Sequence, residues 1–208
     1  MKKLLVIVLI LLSACAAPWI ESGGTYRALS HNFYVDIPQG WMRLNTERYL
    51  LISREGPFLQ YVLIQDRPVD RSFRHTKKKL VKDMLPEEAA QVVIDEIVSD
   101  QTVVNLEVTE NVPTEINGHD GFRLGFTYRN KDGLTLKTIY YGFIKGEKLY
   151  SIRYTAAKRY YFEKDIQAFE TLLSSFRLIK AGAERTCAHH KNPFKLTRQY
   201  PYFYTDIY

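Results

Sequence analysis

An alternation of apolar and polar residues in the second half of the chain restricts its fold most strongly. Over residues 122–129, Phe, Leu, Phe and Tyr alternate with Arg, Gly, Thr and Arg. Successive side chains of a strand point to opposite faces, so this pattern predicts a strand with one buried face. Turn signals at 130–133 and 145–147 each lead into another apolar run, 134–144 and 149–155. Short turns join antiparallel strands, so the sequence predicts an antiparallel sheet.

Further strands are predicted at 33–37, 48–54 and 58–66, and another begins near Val103. The first of them is expected to end at Pro38 and Gly40, which form a turn signal. The strand from Val103 leads to a hairpin signal at 115–118.

Two amphipathic helices complete the predicted fold. One begins at Pro86, where proline and the acidic residues Glu87 and Glu88 suit the first turn. The other runs from about Tyr160 to Ser175. Their apolar stripes are Ala89, Ala90, Val93, Ile94 and Ile97, and Phe162, Ile166, Phe169, Leu173 and Phe176. A shorter helix is expected just before Pro86, from Leu80, Met84 and Leu85. The order of elements predicts an α+β fold, an antiparallel sheet with helices packed on it.

The amino terminus has the pattern of a secretory signal, predicted over residues 1–14. Lys2 and Lys3 precede an apolar run, 4–12, that would be about 14 Å long as a helix and is too short to span a bilayer. Residues 12–15, Leu-Ser-Ala-Cys, resemble the lipobox of bacterial lipoprotein precursors. The resemblance implies that Cys15 takes diacylglycerol through its sulfur, that cleavage precedes it, and that the new amine is acylated, for example with palmitate. The alternative is a soluble exported protein cut near residues 16–17.

The lipoprotein interpretation predicts a location in the cell envelope. Several acyl chains anchor a protein stably, so the membrane is the expected partner through Cys15. The sorting rules of such proteins retain those with Asp after the lipidated Cys in the inner membrane. Ala16 stands there, so the outer membrane facing the periplasm is expected where two membranes exist. Loss of Lys2 and Lys3 lowers the formal charge from +6 to +4, a weak excess that gives no argument for nucleic acid.

Composition changes divide the chain into four predicted parts. After the signal peptide, residues 15–30 are rich in small residues and are expected to be a flexible tether from the lipidated Cys15. Residues 31–180 are expected to form the folded domain. Residues 181–208 lack periodicity and are expected to be a basic, aromatic tail.

Two motifs at the ends of the predicted domain resemble PsbP-like domains. The opening FYVDIPQGW, 33–41, is similar to the family's first strand and its Pro-x-Gly-Trp turn. The carboxy-terminal part of PsbP-like domains is similar to three consecutive segments of this chain: residues 146–157, the helix after them, and Ser-Phe-Arg-Leu at 175–178. The resemblance implies an antiparallel sheet sandwiched between helices. It also implies a domain that binds or escorts other proteins without a shared catalytic site, so no functional residue is carried over.

Motifs of catalysis are not found in the sequence. It contains no Gly-x-Ser-x-Gly elbow and no His-Glu-x-x-His, and five histidines are scattered along it. Cys187, His189 and His190 form the one metal-like cluster. Adjacent histidine side chains diverge, so a solvated tail is the preferred interpretation. We therefore expect no enzyme activity, no cofactor and no metal.

Two surface features suggest binding. A basic run, which holds Arg71, Arg74, His75, Lys77, Lys78, Lys79 and Lys82, could contact anionic head groups or acidic envelope polymers. The alternative is a solvated face balanced by the acidic residues of 83–96. The aromatic tail, with Tyr200, Tyr202, Phe203, Tyr204 and Tyr208, could dock on a partner, cover its own domain or remain disordered.

Together these features predict a lipid-anchored envelope protein that acts as a non-catalytic binding or assembly-accessory domain. Its expected partner, besides the membrane, is an envelope protein. The alternative is a carrier of a small apolar ligand or lipid, bound in a cleft between sheet and helices.

Overall fold

The computed structural model of the protein describes residues 18–179. Its elements follow in the order β1 (Trp19–Ala28), β2 (Phe33–Leu44), β3 (Leu50–Ser53), β4 (Gln60–Pro68), α1 (Pro86–Ser99), β5 (Val104–Glu115), β6 (Asp120–Arg129), β7 (Thr135–Lys145), β8 (Lys148–Ala157), α2 (Tyr161–Ser175) and β9 (Arg177–Leu178). A single 3₁₀ turn, Leu29–His31, joins β1 to β2. No helix in the described range has the length and hydrophobicity needed to span a bilayer.

The strands form one antiparallel sheet in the order β1-β2-β3-β4-β8-β7-β6-β5, with β9 paired to β2. The two helices cover opposite faces of this sheet. Tyr154 of β8 packs in one apolar cluster with Phe169 of α2, whereas Leu124 of β6 packs in another with Val93 of α1. This arrangement confirms the predicted α+β fold with an antiparallel sheet sandwiched between helices.

Helix α2 is joined to the sheet by rings and by polar contacts. The rings of Tyr154 and Phe169 stack with centroids 5.2 Å apart, and the Tyr154 hydroxyl donates to the carbonyl of Tyr161 at 2.9 Å. On the buried side of the same helix, Asp165 accepts a hydrogen bond from Arg54 at 3.1 Å. Sheet and helix are therefore fixed to each other by apolar burial and by paired charges.

Residues 69–85 contain no helix, so the short helix predicted before Pro86 was wrong. Leu80 is buried, and its amide donates to the carbonyl of Val69 at 3.0 Å. Lys77 has a positive φ of 60°, a backbone conformation that interrupts a right-handed helix. The apolar residues of this segment thus anchor a loop on the sheet, and they do not form the stripe of a helix.

The predicted tether was also wrong for the part of 15–30 that the structure describes, because β1 lies there. Trp19 pairs with Leu44 and packs beside Leu63. Gly24, at a φ of 76°, accompanies a register shift in the β1–β2 ladder and does not mark a flexible segment. The folded domain therefore includes Pro18, whose carbonyl accepts the amide of Asn45 at 2.8 Å.

Strand β2 continues past its predicted end at Pro38. Gly40 takes a φ of 76°, which L side chains rarely adopt, and the ladder with β1 changes register opposite this point. The strand resumes at Trp41, which is buried with Phe33 and Val35 in the cluster under α2. The Pro-x-Gly-Trp motif is thus an irregularity inside a long hairpin.

The sheet has two ends, which serve as reference points for the rest of the molecule. The Gly146 end carries the β7–β8 turn, the β5–β6 turn at 116–119 and Pro68, which pairs with Lys148. The Phe58 end carries the β3–β4 turn and the β6–β7 turn. Helix α1 begins at the Gly146 end, where Leu85 lies in the same depression as Gly121 and Ile144.

Candidate functional site

Most of the residues predicted to carry function lie outside the described residues. They are the lipidation site Cys15, the metal-like cluster of Cys187, His189 and His190, and the aromatic tail 181–208. The predicted lipid anchor is therefore not tested by the structure, and the same holds for the tail.

The three histidines of the described range lie apart. His31 follows β1, His75 lies in the loop before α1, and His119 lies in the β5–β6 turn with its ring stacked on Phe143 at 4.8 Å. Burial lowers the pKa of His119, and neighbouring Lys145 acts in the same direction. No two of them share a site, which agrees with their scatter in the sequence.

His31 joins three segments at the Gly146 end. Its Nδ1 contacts Asp66, and its Nε2 lies 2.6 Å from the carbonyl oxygen of Glu47. The other oxygen of Asp66 accepts from Lys148 Nζ at 2.5 Å, and this hydrogen bond raises the pKa of Lys148. Both ring nitrogens face oxygen acceptors, so the imidazole has no free nitrogen with which to activate a nucleophile. We interpret this cluster as a structural link.

Glu96 organises the loop that contains the basic run. This fully buried carboxylate accepts the amides of His75 and Thr76, each at 2.8 Å, and the Thr76 hydroxyl at 2.9 Å. Burial alone would raise the pKa of Glu96, but the hydrogen bonds from Thr76 and His75 outweigh it and hold the pKa below its usual value. One of the two interpretations of the basic run placed Glu96 among the acidic residues of a solvated face, whereas the carboxylate is buried. Its position in the stripe with Ala89 and Val93 was the signal that it is buried.

The basic run is divided between structural and exposed residues. Lys78 pairs with Asp95 at 2.5 Å, and the carbonyl of Arg71 accepts from the buried guanidinium of Arg67 at 2.6 Å. That guanidinium also lies 3.6 Å from the centre of the Phe73 ring. Lys79 and Lys82 are exposed at the Gly146 end. Charge balance by downstream acids is thus real for Lys78, whereas Lys79 and Lys82 remain available to solvent or to a surface.

A shallow depression lies at the Gly146 end, between the loop before α1 and the ends of β6 and β7. Its volume is about 320 Å³. Phe122 and Phe143 line it together with Lys82, Asp83 and Asp120. Among residues 18–179, no three His, Cys, Asp or Glu side chains are grouped so that they could hold a metal ion.

Comparison with known proteins gives the fold. No family model matches the sequence, and no curated protein matches it. The solution structure of cyanobacterial PsbP, CyanoP, from Synechocystis sp. PCC 6803 is similar with a TM-score of 0.53 and 14% identity, over 80% of this chain and 98% of that one. The Saccharomyces cerevisiae Ran-binding protein Mog1p is similar with a TM-score of 0.52 and 9% identity, over 77% of this chain and 97% of that one.

These similarities extend along nearly the whole of both known structures. The chain therefore has the PsbP/Mog1-like fold, as its two terminal motifs predicted. At these identities the likeness establishes the arrangement of strands and helices, while the function has to be argued from the chain itself.

Proposed function

We propose that this protein is a lipid-anchored component of the bacterial cell envelope that acts as a non-catalytic binding or assembly-accessory domain. The anchor is Cys15, carrying diacylglycerol and acyl chains such as palmitate after removal of residues 1–14. The outer membrane, with the domain in the periplasm, is the proposed location in a cell with two membranes.

The main support for a non-catalytic role is that three buried carboxylates in the described range bind structural partners. Asp66 joins His31 to Lys148, Glu96 holds the amides of a loop, and Asp165 pairs with Arg54. Each of these carboxylates connects separate segments of the fold. Catalytic acids and bases need a contact with a reacting group, and these groups are occupied by structure.

The fold supports a binding role for the surface. One protein of similar structure is described as a Ran-binding protein, and this chain shares its fold. Because Asp66, Glu96 and Asp165 each bind a structural partner, the exposed surface is the part of the domain left for recognition. We therefore propose that the second partner, besides the membrane, is an envelope protein.

The alternative function, carriage of a small apolar ligand, has less support. The depression at the Gly146 end offers Phe122 and Phe143, but Lys82, Asp83 and Asp120 line it too. An apolar ligand would leave these charges poorly solvated, which is costly.

Cross-linking in intact cells tests the proposal. Native protein and the Cys15→Ala variant would be expressed at equal levels, cross-linked and purified, and the bound material analysed for both protein and lipid. We expect a reproducible set of envelope proteins with the native form only, since the variant is not anchored beside them. Capture of the same set by both forms would contradict the role of the anchor. Stoichiometric lipid without protein would favour the carrier.

A further inference from the structure

We propose that the Gly146 end of the sheet rests on the bilayer that holds the Cys15 anchor, with Leu29, Val81 and Leu85 inserted among the lipid head groups. The inference rests on the proposed lipid anchor and adds an orientation to it. The ligand of this surface is a phospholipid bilayer that contains phosphatidylglycerol.

The direction of β1 is the first argument. Ile20 pairs with Arg43, Arg43 pairs with Ile52, and Ile52 pairs with Val62, so these residues stand at one level of the sheet. The carbonyl of Pro18 accepts the amide of Asn45, which lies one residue past the end of β2, toward the Gly146 end. The chain therefore enters β1 from the side of the Gly146 end.

The length of chain available is the second argument. Cys15 precedes Ile20 by five residues, which extend over at most about 17 Å. From the level of Val62 to Pro68, at the Gly146 end, β4 advances by six residues, or about 20 Å. The anchor can thus reach about the level of this end when the link is extended. With β1 ordered, the domain has no long tether by which to leave the membrane surface.

The side chains at this end are the third argument. Leu29, Val81 and Leu85 are 77%, 58% and 61% exposed. Leu29 lies two residues before His31, which contacts Asp66 of the strand end. Val81 follows Leu80, whose amide is held by Val69, and Leu85 lines the depression beside Gly121 and Ile144. Exposed aliphatic side chains of this kind enter the head-group region of a bilayer.

Charge contributes little to the contact, because exposed lysines and exposed acids balance at this end. Lys79, Lys82 and Lys145 are exposed at this end and can meet lipid phosphates. Each such cation near an anionic surface is worth about 1 kcal/mol. Asp83, Asp120 and Glu147 are exposed there as well, so the net charge is small. The three aliphatic side chains therefore make the main contribution to the contact with the bilayer.

Fluorescence quenching by lipids tests the orientation. Leu85→Cys and Tyr160→Cys would each be made in a Cys187→Ser background, purified from membranes and labelled with the environment-sensitive dye NBD. Leu85 and Tyr160 are equally exposed, at 61%, and Tyr160 lies at the Phe58 end, so the pair is matched. The labelled proteins would be reconstituted in phosphatidylethanolamine–phosphatidylglycerol vesicles with doxyl-labelled lipid, and their circular dichroism compared with that of the unlabelled protein.

We expect the dye at position 85 to shift to the blue and to be quenched at least about threefold more than the dye at 160, because only the first lies in the head-group region. Equal quenching at both positions, stronger quenching at 160, or none at either in an acylated protein would overturn the orientation alone. The intact mass of the same samples separates this from a failure of the anchor. Protein without acyl mass at Cys15 would overturn the proposed anchor and the orientation with it.

Discussion

At the scale of single residues, the most informative group is a carboxylate that the sequence presents as an ordinary surface acid. Glu96 is fully buried and accepts three hydrogen bonds from His75 and Thr76. It fixes the loop of the basic run to α1. The positions of Lys79 and Lys82, which follow in that loop, thus depend on a residue that carries the opposite charge.

Replacement of Glu96 by Gln is expected to destabilise the fold. In the wild type, the amides of His75 and Thr76 and the Thr76 hydroxyl donate to the two carboxylate oxygens of Glu96. The glutamine amide has the same shape but only one acceptor oxygen, so the free energy of unfolding should fall by about 1–3 kcal/mol. Urea denaturation measures it. The exposed Glu87→Gln in the same helix is the control, with an expected loss below about 1 kcal/mol. A loss for Glu96→Gln no larger than that of the control would contradict the role assigned to Glu96.

The stability difference between wild type and Glu96→Gln should also depend on pH. The folded protein holds the pKa of Glu96 below its usual value of 4.5, so the carboxylate stabilises the fold above that value and loses its contribution as pH falls. The difference in unfolding free energy between wild type and Glu96→Gln should be full at neutral pH and shrink below pH 4.5. A difference that grows in acid would show the opposite sign of linkage.

At the scale of elements, hydrophobic periodicity predicted both helices and strand β6, but it did not predict strand β1 or the contacts between distant segments. The apolar stripes of the two helices and the alternation over 122–129 arise because one face of each element is buried. The structure has α1, α2 and β6 at the positions that these patterns predict. Strand β1 was missed because Gly23 and Gly24 mimic a linker while occupying an irregular point of the ladder. The link from His31 to Asp66 joins residues remote in sequence, and no spacing along the chain could indicate it.

Trp19 provides the test of β1. It packs beside Leu51 and Leu63, so Trp19→Ala should lower the free energy of unfolding by about 2 kcal/mol. Glu21→Ala, at an exposed position of the same strand, should change it by less than about 0.5 kcal/mol. Indistinguishable unfolding curves for the two variants would contradict the packing of β1 and favour the flexible tether that the sequence predicted.

Strand β5 is an exposed edge that the sequence protects. It has two register shifts in its pairing with β6, a proline at 113, and Glu110 paired with Arg123. These features hinder the addition of a further strand. Because these features block further pairing of β5, we do not expect a partner protein to bind by adding a strand at this edge.

Removal of the protection should cause self-association. The double variant Glu110→Val with Pro113→Val is expected to form larger species by size-exclusion chromatography and to bind thioflavin T. Glu170→Val, on an exposed position of α2, adds apolar surface away from any strand edge and should remain like wild type. A double variant that also elutes like wild type would show that these residues do not guard the edge.

At the scale of the whole molecule, the proposed anchor at Cys15 is joined to the fold by a short link, which would determine how the domain meets its surroundings. With Pro18 bound to Asn45, the fold begins within a few residues of the proposed lipid. In the proposed orientation, the Phe58 end points away from the bilayer and is the part offered to partners. The helix-covered faces lie between the two ends.

Lengthening the link should release the domain from this orientation. About fifteen Gly and Ser residues inserted between Ala17 and Pro18 would add roughly 20 Å of reach. Quenching of a dye at position 85 should then fall toward the level at 160. The same segment inserted in the β6–β7 turn, 130–134, is the control and should leave the quenching unchanged. Unchanged quenching after insertion at Pro18 would mean that the end binds lipid without help from the link.

The intact mass of the protein isolated from the membranes of its own cells is the decisive measurement of the proposed anchor. We expect a chain that begins at Cys15 and carries the added mass of a diacylglyceryl group and an acyl chain. The Cys15→Ala protein should lack this mass and leave the membrane fraction. A native chain that begins after Cys15, or one with Cys15 unmodified, would contradict the anchor and the orientation built on it.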